Sequence, residues 1–311
     1  MLQTRKSNPN RPTRIMIYGQ EGAGKSTFGA YSDSPVFIST EGGTDQITNS
    51  KGEPIDEMQN IKTWDNLIDG VRSLRSEQHS FKTLVLDSAD WIEKLAHKDI
   101  LSEENDKDII RANGGYGAGL SQSENMHREL IEELEKLRNE KNMNVIVTAH
   151  THVKTFKDPT APKDYDVFEI KCHEKVSSIW REWVDILMFV RFDSHLKDDG
   201  KKTTKIVKAL GDGGRTAYFI KEPAFQAKNR YGIPAKLPFT FQTWDNIRPY
   251  INKAPIDQTA EQVYVDCLEL LPKVSDVETR NKATENVEKN KTNVTKLVSF
   301  RKKLRELTVG A

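Results

Sequence analysis

The octapeptide Gly19-Gln20-Glu21-Gly22-Ala23-Gly24-Lys25-Ser26 constrains this chain more than any other segment. It has the G-x-x-x-x-G-K-S spacing of a phosphate-binding loop. It follows a short apolar run, Arg14-Ile15-Met16-Ile17-Tyr18, that reads as a buried strand, and it opens a helix expected over residues 26–31. The chemistry requires that context. Backbone N–H groups of the loop and the helix start converge on phosphate oxygens, and glycines let the main chain come close. In that frame Lys25 reaches the β and γ phosphates and the Ser26 hydroxyl takes Mg²⁺, with Thr27 completing the cradle. The ligands expected are ATP and Mg.

Three further strand ends carry polar groups. Thr83-Leu84-Val85-Leu86-Asp87 reads as a buried strand with Asp87 at the sheet edge beside the loop. There Asp87 either holds Mg²⁺ through water or caps the next helix. Phe37-Ile38-Ser39-Thr40-Glu41 ends in Glu41, which either orients the attacking water in line with the γ phosphate or is a solvated loop residue. A strand over residues 144–149 leads into His150, with Thr148 nearby; this end reads as a plain polar loop or, by resemblance to RecA-like ATPases, as a γ-phosphate sensor at Thr148 or His150. His150 and His152 alternate as metal ligands can, but no Cys, Asp or Glu stands close in sequence to complete a zinc site.

Between these strands lie helical patterns. Residues 64–76 place Leu67, Ile68, Val71 and Leu74 on one face. Ser121-x-x-Glu124 has the form of a capping box, followed by Met126, Leu130, Ile131, Leu134 and Leu137 at helical spacing. Alternating strands and helices imply an α/β fold with a mostly parallel sheet covered on both faces. From about residue 165 the pattern changes to strands with shorter links, over 167–170, 186–192, 204–210 and 216–220, which extend the sheet by antiparallel hairpins. Beyond Pro255 the chain is helical and charged. The organisation expected is a flexible leader over 1–13, an ATPase core over 14–253 and a small helical C-terminal region over 254–311.

Composition decides what kinds of partner remain open. With 47 Lys and Arg against 46 Asp and Glu in 311 residues, the net charge of +1 excludes a uniformly basic coat, so any nucleic-acid site is a local patch. Residues 195–236 hold such an excess: Lys197, Lys201, Lys202, Lys205, Lys208, Arg215, Lys221, Lys228, Arg230 and Lys236 against Asp198, Asp199, Asp212 and Glu222. That is either a phosphate-neutralising surface or a solvated hairpin face. Gly114-Gly115-Tyr116-Gly117-Ala118-Gly119 is a base-stacking loop, a lid or a helix connection. Trp180 and Trp183 stand at helical spacing and read, with Trp244, as core rather than as stacking platforms. Two cysteines, Cys172 and Cys267, sit in no metal or disulfide spacing. With no apolar stretch behind Met1 and no run of about 18 apolar residues, neither a secretory signal nor a membrane span is expected. The reducing cytoplasm is the expected compartment.

Taken in order, Gly-Gln-Glu-Gly-Ala-Gly-Lys-Ser (19–26), Ser-Thr-Glu-Gly-Gly (39–43), Leu-Asp-Ser (86–88), Gly-Gly-Tyr-Gly (114–117), Thr-Ala-His (148–150) and Ala-Lys-Asn-Arg-Tyr-Gly (227–232) resemble a phage family of RecA-like P-loop ATPases, the AAA-type phage nucleotide-binding proteins. Some of its members are Sak-type RecA-like single-strand annealing proteins. The resemblance covers roughly residues 12–240. It implies a RecA-like core, Glu41 as catalytic carboxylate, and Lys228 and Arg230 as a finger inserted at a neighbour's γ phosphate; the other reading of that run is a basic surface turn. It further implies a homo-oligomer, ring or filament, acting on single-stranded DNA in recombination, in the host cytoplasm for a phage-encoded chain. Residues 151–165, with Lys154, Lys157, Lys163, Phe156 and Tyr165, occupy by resemblance the position of a DNA loop; otherwise they form a plain loop. The C-terminal region binds DNA or a partner, such as a single-strand-binding protein, or packs as an amphipathic helix. Two other readings of the whole chain stay open: a nucleotide-switched loader or regulator of proteins, and a helicase-like motor.

Overall fold

The computed structural model describes residues 8, 11–104, 108–158, 162–193, 195–198, 207–210, 213–251, 260–292 and 294–308. The chain divides into two compact units: Arg11–Ile251, and a second whose described part is Asn8 and the helices from Ala260 onward.

In the first unit β1 (Arg14–Gly19) runs through the middle of a sheet, with Ile15, Met16, Ile17 and Tyr18 fully buried. Side chains alternate across a strand, so Ile15 and Ile17 enter one core and Met16 and Tyr18 the other. α1 (Lys25–Ala30), β2 (Pro35–Ser39) and the two-residue β3 (Asp56–Glu57) follow. α2 (Trp64–Ser76) begins where Thr63 accepts a hydrogen bond from the Asn66 amide, and it buries the Leu67, Ile68, Val71, Leu74 face that its spacing predicts. β4 (Thr83–Asp87), α3 (Ala89–Glu104), α4 (Ala118–Lys141) and β5 (Asn144–Phe156) continue the alternation. β6 (Tyr165–Ile170) returns along the outer half of β5, and α5 (Glu174–Trp183) leads to β7 (Ile186–Phe192). Then come β8 (His195–Asp198), β9 (Val207–Leu210), β10 (Arg215–Tyr218), β11 (Lys228–Asn229), β12 (Lys236–Pro238) and α6 (Thr243–Ile251).

The sheet order is β12-β10-β7-β1-β5-β4-β2-β3. From β7 to β3 neighbouring strands are parallel; β10 and β11 pair antiparallel with β7, and β12 antiparallel with β10. This is the α/β architecture expected, a mostly parallel sheet extended by antiparallel strands, with one correction: the strand expected over 204–210 does not extend it, because β9 pairs with β8 in a separate two-stranded sheet. Helices α2 to α5 supply one core. The other gathers Phe28, Trp244, Ile247 and Ile251 from α1 and α6. Trp180, Trp183 and Trp244 are buried, and the helical spacing of Trp180 and Trp183 predicts their shared core face.

Two local expectations need correction. The capping box at Ser121 and Glu124 does not start α4. The helix starts at Ala118, after five successive residues with positive φ: Asn113 (58°), Gly114 (86°), Gly115 (85°), Tyr116 (53°) and Gly117 (77°). Gly117 adopts the left-handed cap conformation at little steric cost, so the turn is made in the backbone. Ser121 Oγ instead donates to Gly117 O, at 3.4 Å, and Glu124 pairs with Arg128 at 2.9 Å. The second correction concerns residues 151–156, which are the outer half of β5 and not a loop. Asn144 to His150 complete the parallel sheet, with His150 opposite Gly19. Thr151 is the first residue paired with β6, opposite Ile170.

The second unit comprises α7 (Ala260–Leu270), a 3₁₀ turn (Leu271–Lys273), α8 (Val277–Lys289) and α9 (Val294–Thr308). They close around Val263, Cys267, Leu271, Val274, Val287, Leu297 and Leu304. Asp276 caps α8 by accepting from the Thr279 amide. Among the described residues no helix is long and apolar enough to cross a membrane.

Candidate active site

The glycine loop sits where β1 leaves the sheet. Gly19 is set by packing: a Cβ there would lie 2.2 Å from the Val190 carbonyl oxygen of β7. Gly22 (φ 72°) and Gly24 (φ 90°) then turn the chain into α1 through left-handed conformations. Lys25 is buried, and its Nζ donates to the carbonyls of Gly19 (3.2 Å) and Gln20 (2.9 Å). Burial pushes the Lys25 pKa down; Asp87, Asp90, Glu41 and Glu21 oppose the fall. Behind the loop, Arg215 Nη1 of β10 donates to Ala23 O at 2.9 Å, and its guanidinium lies over the Phe239 ring.

The neighbouring strand ends bring the acids. Asp87 closes β4 and is 7% exposed; the Thr148 hydroxyl of β5 donates to its Oδ1. The main chain of Thr40 donates to Asp87 O at 2.8 Å, which places Glu41 just beyond the same edge. Lys25, Ser26, Thr27, Glu41, Asp87 and His150, with Glu21, Gly22, Gly24, Gly42, Gly43 and Ile47, line one cleft of about 470 Å³. A cleft of that size suits a nucleotide. For a divalent cation, the Asp87 carboxylate and the Ser26 hydroxyl are hard oxygen donors facing the same space. That is a sparse set, fit for Mg²⁺, which keeps waters and phosphate oxygens as its remaining ligands.

Sequence reasoning missed two groups here. Asp90, in the first turn of α3, is 3% exposed and accepts from His150 N (3.0 Å), from His150 Nδ1 and from Ser88 Oγ (3.0 Å). Burial works against its charge, but these hydrogen bonds outweigh it and hold the Asp90 pKa below the usual range. Glu93, one turn further along α3, is also buried and accepts from the His173 amide. An acid in the first turn of a helix is common, so Asp90 did not stand out in the sequence, and nothing local marks Glu93 as buried.

Other candidates lie elsewhere. Lys228 and Arg230 are not beside this chain's own loop. β11 pairs with β7 at Leu187 and Ile186, the end of the sheet opposite Gly19 and Val190. Lys228 Nζ donates to the carbonyls of Arg181 and Glu182, both at 3.0 Å, closing the last turn of α5. Arg230 Nη1 pairs with Asp185 at 3.0 Å. The β5–β6 hairpin leaves the sheet at the cleft edge, since His150 lies level with Gly19. Lys154 on it stands 3.7 Å from Glu169 and 3.6 Å from Glu174. Lys157 and Lys163 are exposed near its tip, where Phe156 packs against Tyr165 with ring centroids 5.7 Å apart. His152 lies opposite Glu169 in the same hairpin. Tyr116 is fully exposed on the glycine-rich connection between α3 and α4. Lys201, Lys202 and Lys205 lie outside the described residues.

A sequence-family profile for the AAA domain matches residues 11–231, more than half of the chain. No curated protein matches it.

Proposed function

Because the chain belongs to the AAA domain family, we propose that it is a Mg²⁺-dependent ATPase that acts on single-stranded DNA as an oligomer, in phage recombination or strand annealing. The convergence of Lys25, Ser26, Asp87 and Glu41 on one cleft carries the ATPase part. Lys25 and the loop amides hold the β and γ phosphates. Ser26 and Asp87 would hold Mg²⁺, which when bound offsets charge on the phosphate oxygens. Glu41 orients the attacking water, and His150 stands where it can sense the γ phosphate.

The DNA part is supported by the β5–β6 hairpin. It rises from the cleft edge with Lys154, Lys157 and Lys163 and an aromatic pair, a combination that suits a phosphate backbone with stacked bases. The shared-site part rests on Arg230, which is 53% exposed and so able to exchange Asp185 for a neighbour's phosphate. The C-terminal helices are the region assigned to a protein partner, such as a single-strand-binding protein. A nucleotide-switched regulator of proteins is the second reading, favoured by the acids Glu169 and Glu174 beside Lys154.

ATP hydrolysis measured with and without single-stranded DNA, over protein concentration and at two salt levels, tests the proposal. DNA should raise the rate, salt should weaken that effect, and specific activity should climb with protein concentration. Lys25→Ala should abolish hydrolysis, and Arg230→Ala should remove the concentration-dependent part. A rate that needs Lys25 but ignores DNA favours the regulator.

A further inference from the structure

Glu41 is followed by Gly42 (φ 81°) and Gly43 (φ 93°), so little in its own segment fixes its side chain. Two groups reach its carboxylate. His150 Nε2 is 3.8 Å from Oε1, and Ser88 Oγ is 3.4 Å from Oε2. One buried acid lies behind both; it takes the single Ser88 hydroxyl proton, which leaves His150 as the group able to hold Glu41. Ser88 Oγ is 3.0 Å from Asp90 Oδ1, His150 N is 3.0 Å from the same oxygen, and His150 Nδ1 is 3.0 Å from Asp90 Oδ2.

The chemistry of that contact is restrictive. An ionised carboxylate only accepts hydrogen bonds, so the ring nitrogen facing Asp90 must carry a proton. With Nδ1 donating to Asp90, the imidazole plane is fixed and Nε2 is turned toward Glu41 and the cleft; with Nε2 protonated as well, the imidazolium attracts the Glu41 carboxylate across 3.8 Å. We propose that Asp90 is the positioning residue for Glu41, acting through the His150 ring. The proposal rests on the reading of Glu41 as the group that orients water. It gives Asp90 no contact with substrate: the residue sets where Glu41 points, and a misplacement of about 1 Å at such a group costs about 100-fold in rate.

The test compares wild type, Asp90→Asn, Glu41→Gln and the double variant in steady-state ATP hydrolysis by the full chain, with ¹⁵N spectra of the His150 ring. Asp90→Asn should lower kcat by about 10- to 100-fold while the KM for ATP stays within about threefold. The double variant should be no slower than Glu41→Gln alone. The amide of the asparagine can donate to Nδ1, so the Nδ1 proton expected in the wild-type ¹⁵N spectrum should be lost. A structural role alone would not produce that pattern. Glu41→Gln by itself reports on the underlying reading: if it hydrolyses ATP at the wild-type rate, both ideas fall. If Glu41→Gln is impaired but Asp90→Asn is not, or the two losses multiply, only the positioning role is overturned. Should Asp90→Asn fail to fold, His150→Gln replaces it. It must then show the same fall in kcat at steady KM and the same lack of additivity with Glu41→Gln; any other result overturns the proposal.

Discussion

At the scale of single residues, burial and close approach decide more than motif membership. Gly19 is the first letter of the phosphate-loop motif, yet what demands glycine there is the Val190 carbonyl of the adjacent strand. Neither partner is a flexible side chain that could move aside, so Gly19→Ala should destabilise the fold by about 3 kcal/mol or prevent it, measured by urea unfolding. Glu93 is a second case. Burial pushes its carboxyl from an ordinary 4.5 up to about 7; the amide of His173 works against the rise and Asp90 adds to it. The nearby Cys172 thiol is pushed up as well, first by burial and then by Glu93 and Asp90. Between about pH 4.5 and pH 7 the folded chain therefore keeps a proton that the unfolded chain has lost. Stability falls as pH rises through that window, by an amount on the order of 3 kcal/mol, and levels off above it. Glu93→Gln should flatten that slope and raise the melting temperature at pH 8 more than at pH 4.5. An unchanged slope in melts across the range would remove Glu93 as its source. Lys25, Ser26 and Asp87 were legible because strand, loop and helix fix their spacing. Asp90 was not, because its contacts form only once β5 lies beside α3 and His150 meets it.

At the scale of elements, legibility followed how much of the signal was local. α2 begins and ends where its spacing predicts, because its apolar face and the Thr63 cap both lie within the helix or next to it. The same holds for β4 and β7, whose buried runs are bounded by polar residues. α5 shows its Trp180 and Trp183 face equally well, and the cost of hollowing it is predictable: Trp180→Ala should lose about 3 to 5 kcal/mol in urea unfolding, since the ring is fully buried. Of the β5–β6 hairpin, residues 167–170 read as a strand from sequence but residues 151–156 do not, because they face solvent on both sides and so carry no strict apolar alternation. Their strand character comes from pairing across to residues 165–170, a contact that no local window contains. If this hairpin carries single-stranded DNA, Lys157→Glu together with Lys163→Glu should weaken binding at all sequences. It should also reduce the slope of log K against log salt by about 1.4, leaving hydrolysis without DNA at the wild-type rate. Filter binding over a salt series reads both, and an unaltered slope moves the DNA contact elsewhere.

At the scale of the whole molecule, the two units differ in what supports them. Arg11–Ile251 has two apolar cores on either face of a sheet, tied across β1, α4 and β7 by Arg14, Glu135, Arg138 and Asp185. The nucleotide cleft is lined entirely by residues of this unit. The helices beyond residue 260 share a core of seven buried residues. A unit of about 70 residues buries a smaller share of its surface than a large domain does and is correspondingly less stable, and a unit with its own core can unfold on its own. Calorimetry of the full chain should therefore show a small low-temperature transition ahead of the main one. A chain ending after Ile251 should lose the first transition, keep the second within about 3 °C, and bind an ATP analogue with a Kd within about threefold of the full chain. Leu297→Ala should lower the first transition alone, because Leu297 is fully buried in the small core. If the truncated chain instead melts early or loses the nucleotide, the C-terminal helices support the ATPase fold and cannot be a separately folding attachment for a partner.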